Sequence, residues 1–424
     1  MPAHTGSFSG PLPPGLFFPL SPRLRPKGSA RSRTGFVALA ALVGVMAGLV
    51  FATVLVRQLD PVASMPRNFS ITVPARVVAN FFIVESRAVG GEVQFFVIDT
   101  GSSTTLVSPE FAARYADQTS TSALVEVQGP TGQVVAKKRV VVPRLDLGRA
   151  QFAQVSAVVS DLSEISRHVG VPIAGIVGFP VFEHYLVTLD YGRRVLKVGL
   201  ASPEGDVSNR GLVFPLRGDG RVPSVMLQVG GQASEVLIDS GSDGGVNLNP
   251  EHLQLRLRGP AREGALVATV AGNRRQYLGR IAHELEIGGV RIVDPVVDFT
   301  LGTPSVGGEL LKNFALTFDQ RRREVTFRRV TTGPIKLEAR RSVGVSFARD
   351  DGAWQVAGLV PASGAAELPL QAGDRCVRIN GETVDRWPAE RYAALLDRAE
   401  RVTFTFARGE QQTDLHLPVI SLLE

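Results

Sequence analysis

The sequence predicts a mainly β protein built by internal duplication. Over residues 70–330, runs of about four to eight residues rich in Val, Phe, Leu and Thr alternate with Gly, Asn and Pro turns. Two tripeptides, Asp99-Thr100-Gly101 and Asp239-Ser240-Gly241, each end such an apolar run, and a Gly-Gly pair ends eight residues before each aspartate. Farther on, Val177–Asp190 and Val306–Asp319 align without a gap. One unit therefore occurs twice, with an aspartate at the same place in each copy.

Two matched aspartates predict a site made of two carboxyl groups. Carboxyl groups held within about 3 Å of each other cannot both ionise, so they share one proton and titrate as a pair. The ionised member can take a proton from water, while the protonated member hydrogen-bonds the carbonyl group that the water attacks. Asp99 and Asp239 are therefore the predicted catalytic residues for hydrolysis of an amide bond without a metal, a thiol or a covalent intermediate.

The residues that follow each aspartate are expected to support the pair. Glycine suits a turn in which the backbone closely approaches a neighbouring segment. The hydroxyl group between Asp and Gly can bond to the turn of the other copy, and the Ser after Gly can bond the outer carboxylate oxygens. The predicted supporting residues are Thr100, Gly101, Ser102, Ser240, Gly241 and Ser242.

These motifs resemble those of retropepsin/pepsin-like aspartic peptidases, with two retropepsin-like lobes in one chain. The resemblance also rests on Ile176-Val177-Gly178 and on Ser305-Val306-Gly307, in which Ser departs from the apolar pattern. It implies lobes over residues 70–202 and 210–330, interlocking loops around the aspartates, and a hairpin (the flap) that closes over a peptide. Which hairpin closes is left open between the flap candidates Gly129, Thr131, Gly132 and Gly272.

Two functions fit this pattern. The first is an aspartic endopeptidase that hydrolyses protein or peptide substrates with the two aspartates. The second is a catalytically inert, membrane-tethered scaffold that binds peptides. Asp243-Gly244-Gly245 leaves room for the second interpretation, because small polar residues are commoner after this motif.

Composition excludes several other classes. The formal charge of +6 comes from six basic residues within residues 1–57, which contain no acidic residue, so the remainder is neutral and nucleic-acid binding is not expected. The single cysteine, Cys376, excludes an intrachain disulfide and lies in an apolar run typical of a buried thiol. The six histidines show no metal-ligand spacing. We therefore expect no metal and no cofactor.

The N-terminal region predicts a membrane anchor. Residues 1–35 have the composition of a disordered basic tail, 36–56 form an uncharged run long enough to span a bilayer as a helix, and 57–69 read as a linker. The basic residues before the span predict a cytoplasmic N-terminus and a periplasmic body in a bacterial inner membrane. Cleavage of the anchor and secretion stay open as an alternative. Gly44-x-x-x-Gly48 allows a homodimer through the span.

The C-terminal residues 335–424 resemble a PDZ domain of the type attached to bacterial envelope proteases. The resemblance rests on the order of a Ser-Val-Gly-Val-Ser-Phe loop, the strand Trp354–Leu359, an Ile-Asn-Gly turn, a helix over Pro388–Ala399 and a final strand Val402–Ala407. It implies binding of peptide C-termini and a role in substrate selection or regulation. The implied carboxylate loop consists of Ser342, Val343, Gly344, Val345, Ser346 and Phe347.

Overall fold

The structure is a computed structural model that describes residues 6–7, 70–87, 92–117, 124–128, 134–200, 211–269, 272–338, 341–350, 353–363 and 367–423. Apart from the two-residue strand β1 (Gly6–Ser7), the predicted basic tail lies outside these residues. The predicted span (36–56) and linker (57–69) also lie outside them. Within the ranges that are described, no helix is both long enough and apolar enough to cross a membrane.

Strands dominate the described chain, which confirms the mainly β prediction. Residues 70–200, here called the first repeat, contain the short helices α1 (Pro109–Tyr115) and α2 (Ser163–Val169). Its strands are β2 (Ser70–Val78), β3 (Phe81–Arg87), β4 (Val93–Asp99), β5 (Thr105–Val107), β6 (Leu124–Gln128), β7 (Val134–Leu147), β8 (Ala150–Val159), β9 (Ile173–Gly178), β10 (Leu186–Asp190) and β11 (Val195–Gly199).

Residues 211–330, here called the second repeat, contain one short helix, α3 (Gly308–Leu311), in the part that is described. The strand Arg256–Leu257 of this repeat pairs with β1. The strands are β12 (Leu212–Pro215), β13 (Ser224–Val229), β14 (Gln232–Ile238), β15 (Val246–Leu248), β16 (Arg256–Leu257), β17 (Arg262–Thr269), β18 (Gly272–Arg280), β19 (Leu285–Ile287), β20 (Val290–Ile292), β21 (Val296–Phe299), β22 (Ser305–Val306), β23 (Phe314–Asp319) and β24 (Glu324–Arg329).

The two repeats arrange corresponding strands in the same way. In the first, β4 pairs in parallel with β9, and β5 lies antiparallel to β9 and parallel to β8. In the second, β14 pairs in parallel with β22, and β15 lies antiparallel to β22 and parallel to β21. Each aspartate motif therefore leaves its strand beside the glycine that ends the Val-Gly element of the same repeat.

A shared sheet joins the repeats. The strands β10 and β23, which come from the gap-free aligned stretches, pair antiparallel with Thr188 opposite Thr317. Their hydroxyl oxygens lie 2.8 Å apart in a buried contact. The sheet of thirteen strands that results has the order β12, β24, β23, β10, β11, β2, β3, β4, β9, β5, β8, β7 and β6.

A second sheet belongs to the second repeat alone and contains nine strands, with Asp239 directly after β14. Its order is β17, β18, β21, β15, β22, β14, β13, β19 and β20. The buried residues Ile238 and Val306 lie side by side where β14 meets β22. The apolar approach to Asp239 is therefore core, as the run of apolar residues predicts.

The C-terminal residues form a separate six-stranded sheet with one helix, α4 (Ala389–Arg398). The predicted final strand corresponds to Arg401–Arg408, and a further strand, Gln411–Pro418, follows it and pairs with it antiparallel. Cys376 is buried in its core, and burial raises the pKa of that thiol to about 12. The strands are β25 (Val345–Asp350), β26 (Ala353–Leu359), β27 (Arg375–Ile379), β28 (Glu382–Thr383), β29 (Arg401–Arg408) and β30 (Gln411–Pro418).

The contact between Thr188 and Thr317 should be measurable as a coupling between the repeats. Thr317→Val removes the hydroxyl partner of Thr188 in a buried place, so we expect a loss of about 1–3 kcal/mol in the free energy of unfolding. In a double-mutant cycle measured by urea unfolding, Thr188→Val should lower the free energy of unfolding less in the Thr317→Val protein than in the wild-type protein. Thr72→Val, at an exposed position of the same sheet, is the control. Strict additivity of the two changes would contradict a direct hydroxyl–hydroxyl bond.

Candidate active site

The two aspartate turns have the same local structure. The Oδ1 atom of Asp99 accepts a hydrogen bond from the backbone N–H of Gly101 at 2.9 Å, and Oδ1 of Asp239 accepts one from Gly241 at 3.0 Å. The backbone N–H groups of Ser102 and Ser242 also bond to the carboxylates. Backbone N–H donors of its own turn thus fix the position of each carboxyl group.

The hydroxyl groups of Thr100 and Ser240 join the turns reciprocally. Thr100 Oγ1 donates to the carbonyl of Ile238 at 2.6 Å, and Ser240 Oγ donates to the carbonyl of Ile98 at 2.7 Å. Each hydroxyl also accepts the backbone N–H of the other residue, at 3.0 and 3.1 Å. All four bonds are buried, so they hold the turns in a single register.

Gly101 and Gly241 permit the close approach of the aspartates. A Cβ added to Gly101 would lie 2.5 Å from the carboxyl carbon of Asp239, and one added to Gly241 would overlap the carboxyl group of Asp99. Neither glycine has a positive φ, so space and not backbone conformation requires glycine here. Each turn therefore packs on the catalytic candidate of the other repeat.

Ser102 and Ser242 were expected to bond the carboxylates through their hydroxyl groups, but they do so through their backbone N–H groups. Ser102 Oγ donates to the carbonyl of Thr104 at 2.7 Å, and Ser242 Oγ accepts the N–H of Gly244 at 3.3 Å. These hydroxyls shape their own loops, while the backbone N–H groups of the same serines face the carboxylates. The sequence pattern does not distinguish the two arrangements, because both need a small polar residue.

The Val-Gly elements hold the turns from behind. The backbone N–H of Phe179 donates to the carbonyl of Ser102 at 2.9 Å, and that of Gly308 donates to the carbonyl of Ser242 at 2.7 Å. A Cβ on Gly178 would come within 2.8 Å of the Thr104 backbone. The loops of each repeat therefore interlock, as the resemblance to aspartic peptidases implies.

Asp99 and Asp239 form a half-buried, hydrogen-bonded pair. Burial, followed by the charge of Asp239, raises the pKa of Asp99 well above its ordinary value. Burial raises the pKa of Asp239 to about 6, opposed by the hydrogen bond from Asp99. The pair accordingly retains one proton over a range in which isolated carboxyl groups would both be ionised. The proton belongs to the pair, and the two carboxyl groups titrate together.

Tyr191 is a neighbour that the sequence analysis missed. It is buried, its ring packs edge-on against Phe82, and its hydroxyl has no hydrogen-bond partner among the described residues. Burial and then the charges of Asp239 and Asp99 raise its pKa. The matched position in the second repeat is Gln320, which donates to the carbonyl of Phe179. The surroundings of the aspartates are thus not symmetric.

A polar contact crosses from the first repeat to the loop that follows the second motif. Nε2 of His168, on α2, lies 3.3 Å from a carboxylate oxygen of Asp243. Asn80 donates from Nδ2 to the carbonyl of Asp243 at 2.9 Å and accepts from Nζ of Lys312 at 3.2 Å. Spacing alone does not reveal this contact, because these residues belong to four separate segments.

The flap candidates are only partly described. Gly129, Thr131 and Gly132 lie outside the described residues, between β6 and β7. Gly272 begins β18 and pairs with Thr269 across the β17–β18 hairpin. The flanking strands of both candidate hairpins are therefore among the described residues, while the tip of the first hairpin is not.

The six residues of the implied carboxylate loop lie in the C-terminal sheet and not beside the aspartates. Ser342 bridges to Ile420, and Gly344, at φ +80°, donates its N–H to Ser342 Oγ at 2.9 Å. Val343 is buried, while Val345, Ser346 and Phe347 belong to β25. The Ser346 hydroxyl accepts the backbone N–H of Leu266 at 3.1 Å, and the Phe347 ring stacks on Phe404. The segment is therefore half loop and half strand.

The arrangement around the aspartates can perform acid–base chemistry. It contains a carboxylate that can accept a proton and a carboxylic acid that can donate one, within hydrogen-bonding distance of each other. Over the residues whose placement is given, no group of three or more His, Cys, Asp or Glu side chains is arranged to hold a metal ion.

One comparison with known proteins bears on this site. Residues 87–181 match a protein-family model described as aspartyl protease. The match covers under a quarter of the chain, includes Asp99 and ends before Asp239. No curated protein matches the sequence. Residues 87–181 of the first repeat are therefore similar to aspartyl proteases, which supports a protease of the hydrolase class.

The half-buried pair should make the stability of the protein depend on pH in a specific direction. Because folding raises the pKa of Asp239 from 3.8 to about 6, the folded state binds its proton more tightly than the unfolded state does. The stabilisation of the folded state by this tighter proton binding is fully present below about pH 4 and is lost as the pH rises through about 6. We expect Asp239→Asn to gain on the order of 2–3 kcal/mol in unfolding free energy relative to wild type between pH 4 and 7.

Chemical unfolding at several pH values measures this difference. Asp294→Asn, which removes a partly exposed carboxylate paired with Arg258, is the matched control and should change the free energy of unfolding by less than about 1 kcal/mol. A flat difference for Asp239→Asn would contradict a raised pKa at this site.

Proposed function

We propose that this protein is an aspartic endopeptidase in which Asp99 and Asp239 activate water against a peptide bond. The observation that carries the proposal is the half-buried, hydrogen-bonded pair of carboxyl groups held by two matched turns. The aspartyl protease match over residues 87–181 supports the same reaction class.

The geometry suggests a division of roles. We assign the proton-accepting role toward water to Asp239 and the proton-donating role to Asp99, because burial and then the charge of Asp239 raise the pKa of Asp99. Asp99 then donates its proton toward the carbonyl oxygen of the substrate, which makes the carbon more electrophilic. After water has added, Asp239 carries the proton that the departing amine needs. Both carboxyl groups are half-buried, so they are partly desolvated and still reachable by a substrate and a water molecule.

Peptide cleavage by full-length protein tests this proposal. Asp99→Asn and Asp239→Asn should each lower kcat by at least about 1,000-fold on a diverse peptide pool, because an amide cannot replace either proton-transferring group. A statine-type inhibitor, which mimics the hydrated carbonyl, should block the wild-type protein. Cleavage is read by mass spectrometry of the pool.

Asp294→Asn is the control for these variants and should cleave the pool normally, because its carboxylate pairs with Arg258 away from the aspartate turns. Full activity in either aspartate variant would refute a shared site. Peptide binding without cleavage by the wild-type protein would favour the inert scaffold.

The membrane anchor and the periplasmic location are part of the proposal. They are supported by the uncharged run of residues 36–56 and by the basic residues before it. In this arrangement the protease body lies outside the cytoplasm and reaches substrates near the inner membrane. Pairing of two spans through Gly44-x-x-x-Gly48 would give a homodimer.

We propose that the C-terminal sheet acts as a PDZ domain that controls the second repeat. Contacts with the β17–β18 hairpin support this role. Besides the bond from Leu266 to Ser346, Arg275 donates from Nη1 to the carbonyl of Leu359 at 3.1 Å. An apolar cluster across the same junction contains Leu278, Val296, Val360, Leu422 and Leu423. A peptide that adds a strand beside β25 would compete with this hairpin for Ser346.

Ser346→Ala tests the link between the PDZ-like sheet and the hairpin. The change removes the acceptor of the Leu266 N–H, so we expect the hairpin to detach more easily, by about 1 kcal/mol. Hydrogen exchange of residues 262–269, followed by mass spectrometry, should accelerate about fivefold. Thr405→Val, which removes an exposed hydroxyl bonded to Asp414 in the same sheet, should leave that exchange unchanged. Unaltered exchange in Ser346→Ala would show that the hairpin does not depend on this sheet.

A further inference from the structure

Asp243 places a third carboxylate close to the aspartate pair, and hydrolysis itself does not need it. It stands four residues after Asp239, so even a fully extended chain would keep its backbone within about 14 Å of that residue. Successive residues of an extended peptide advance by about 3.3 Å. Asp243 is therefore within reach of a substrate side chain no more than about four residues from the bond that is cut.

The backbone around Asp243 is held from several directions. Its carbonyl accepts from Asn80, and the neighbouring carbonyls of Ser242 and Gly244 accept backbone N–H groups from Gly308 and Glu309 at 2.7 and 3.0 Å. This loop therefore does not need to reorganise to present its carboxylate.

The side chain of Asp243 is partly exposed. Its exposed fraction is 26%, and that of its partner His168 is 47%. A polar contact this exposed contributes little free energy, so a substrate cation can replace or share the imidazole at low cost. An ammonium or guanidinium group can approach the carboxylate from its exposed side.

The two repeats differ in charge at this position. The position in the first repeat that matches Asp243 is Ser103, which is neutral. A peptide that contacts both catalytic candidates runs across the boundary between the repeats, with one end toward each loop. The two ends of the peptide therefore meet different electrostatic surroundings.

We infer that Asp243 is a specificity-determining residue that selects substrates with a Lys or Arg side chain on one side of the scissile bond. The inference rests on the proposed function and adds the substrate class to it. His168 holds the carboxylate in place until the substrate cation arrives, and Asn80 fixes the loop that carries it.

A charge scan on full-length protein tests the inference. The probe is the best-cleaved peptide from the diverse pool, with each of the four residues on either side of the cut replaced singly by Lys, Gln or Glu. Binding to the Asp99→Asn protein is measured by fluorescence anisotropy, which needs no turnover. We expect Lys to bind about five- to tenfold more tightly than Gln at one position on one side. Asp243→Asn should reduce that ratio to within about twofold, and Asp243→Lys should shift the preference to Glu.

Two more variants complete the test. His168→Ala, which removes the resident partner of the carboxylate, should widen the preference for Lys. Asp294→Asn should leave the ratio unchanged, because its carboxylate pairs with Arg258. Equal binding of Lys and Gln peptides at every position, or a Lys preference that survives Asp243→Asn, would overturn the inference and leave the proposed function standing. If no peptide is cleaved, the proposed function fails, and the same scan on the tightest-binding pool peptide still decides the charge preference.

Discussion

The reciprocal hydrogen bonds between Thr100 and Ser240 are the contact on which the site depends. They bind two turns that are 140 residues apart in sequence to each other's backbone, and they are buried. The same contact forces each glycine against the opposite aspartate. Repulsion between two carboxyl groups would otherwise drive the turns apart, so the hydroxyl bonds and the shared proton together keep the pair closed.

The strand pairings that the two repeats share form the framework for this contact. Parallel pairing of β4 with β9 and of β14 with β22 puts a Val-Gly element behind each turn. The pairing of β10 with β23 then joins the repeats in one sheet. A symmetric framework still has to accept an asymmetric peptide. The asymmetry comes from aligned positions at which the two repeats carry different residues. Tyr191 aligns with Gln320, and Asp243 aligns with Ser103.

Several features of the site were predictable because they are properties of the repeat. The mainly β fold follows from short β-branched runs between turn residues, and the cross-bonding of Thr100 and Ser240 follows from small hydroxyl residues beside a glycine. The atoms used by Ser102 and Ser242 were not predictable, because a serine offers a hydroxyl and an amide with similar reach. The strand β30 was missed because its polar, exposed residues lack a clear alternation.

The sequence by itself determined the two aspartates, their glycine and hydroxyl neighbours and the duplication, because these are encoded by local order and by spacing that repeats. Only the tertiary structure decided which groups surround them. The pairing of His168 with Asp243, the burial of Tyr191 and the bond from Leu266 to Ser346 each join segments that are far apart in the chain. Such contacts depend on how sheets and loops pack together, and no periodicity or motif in a single sequence records that packing.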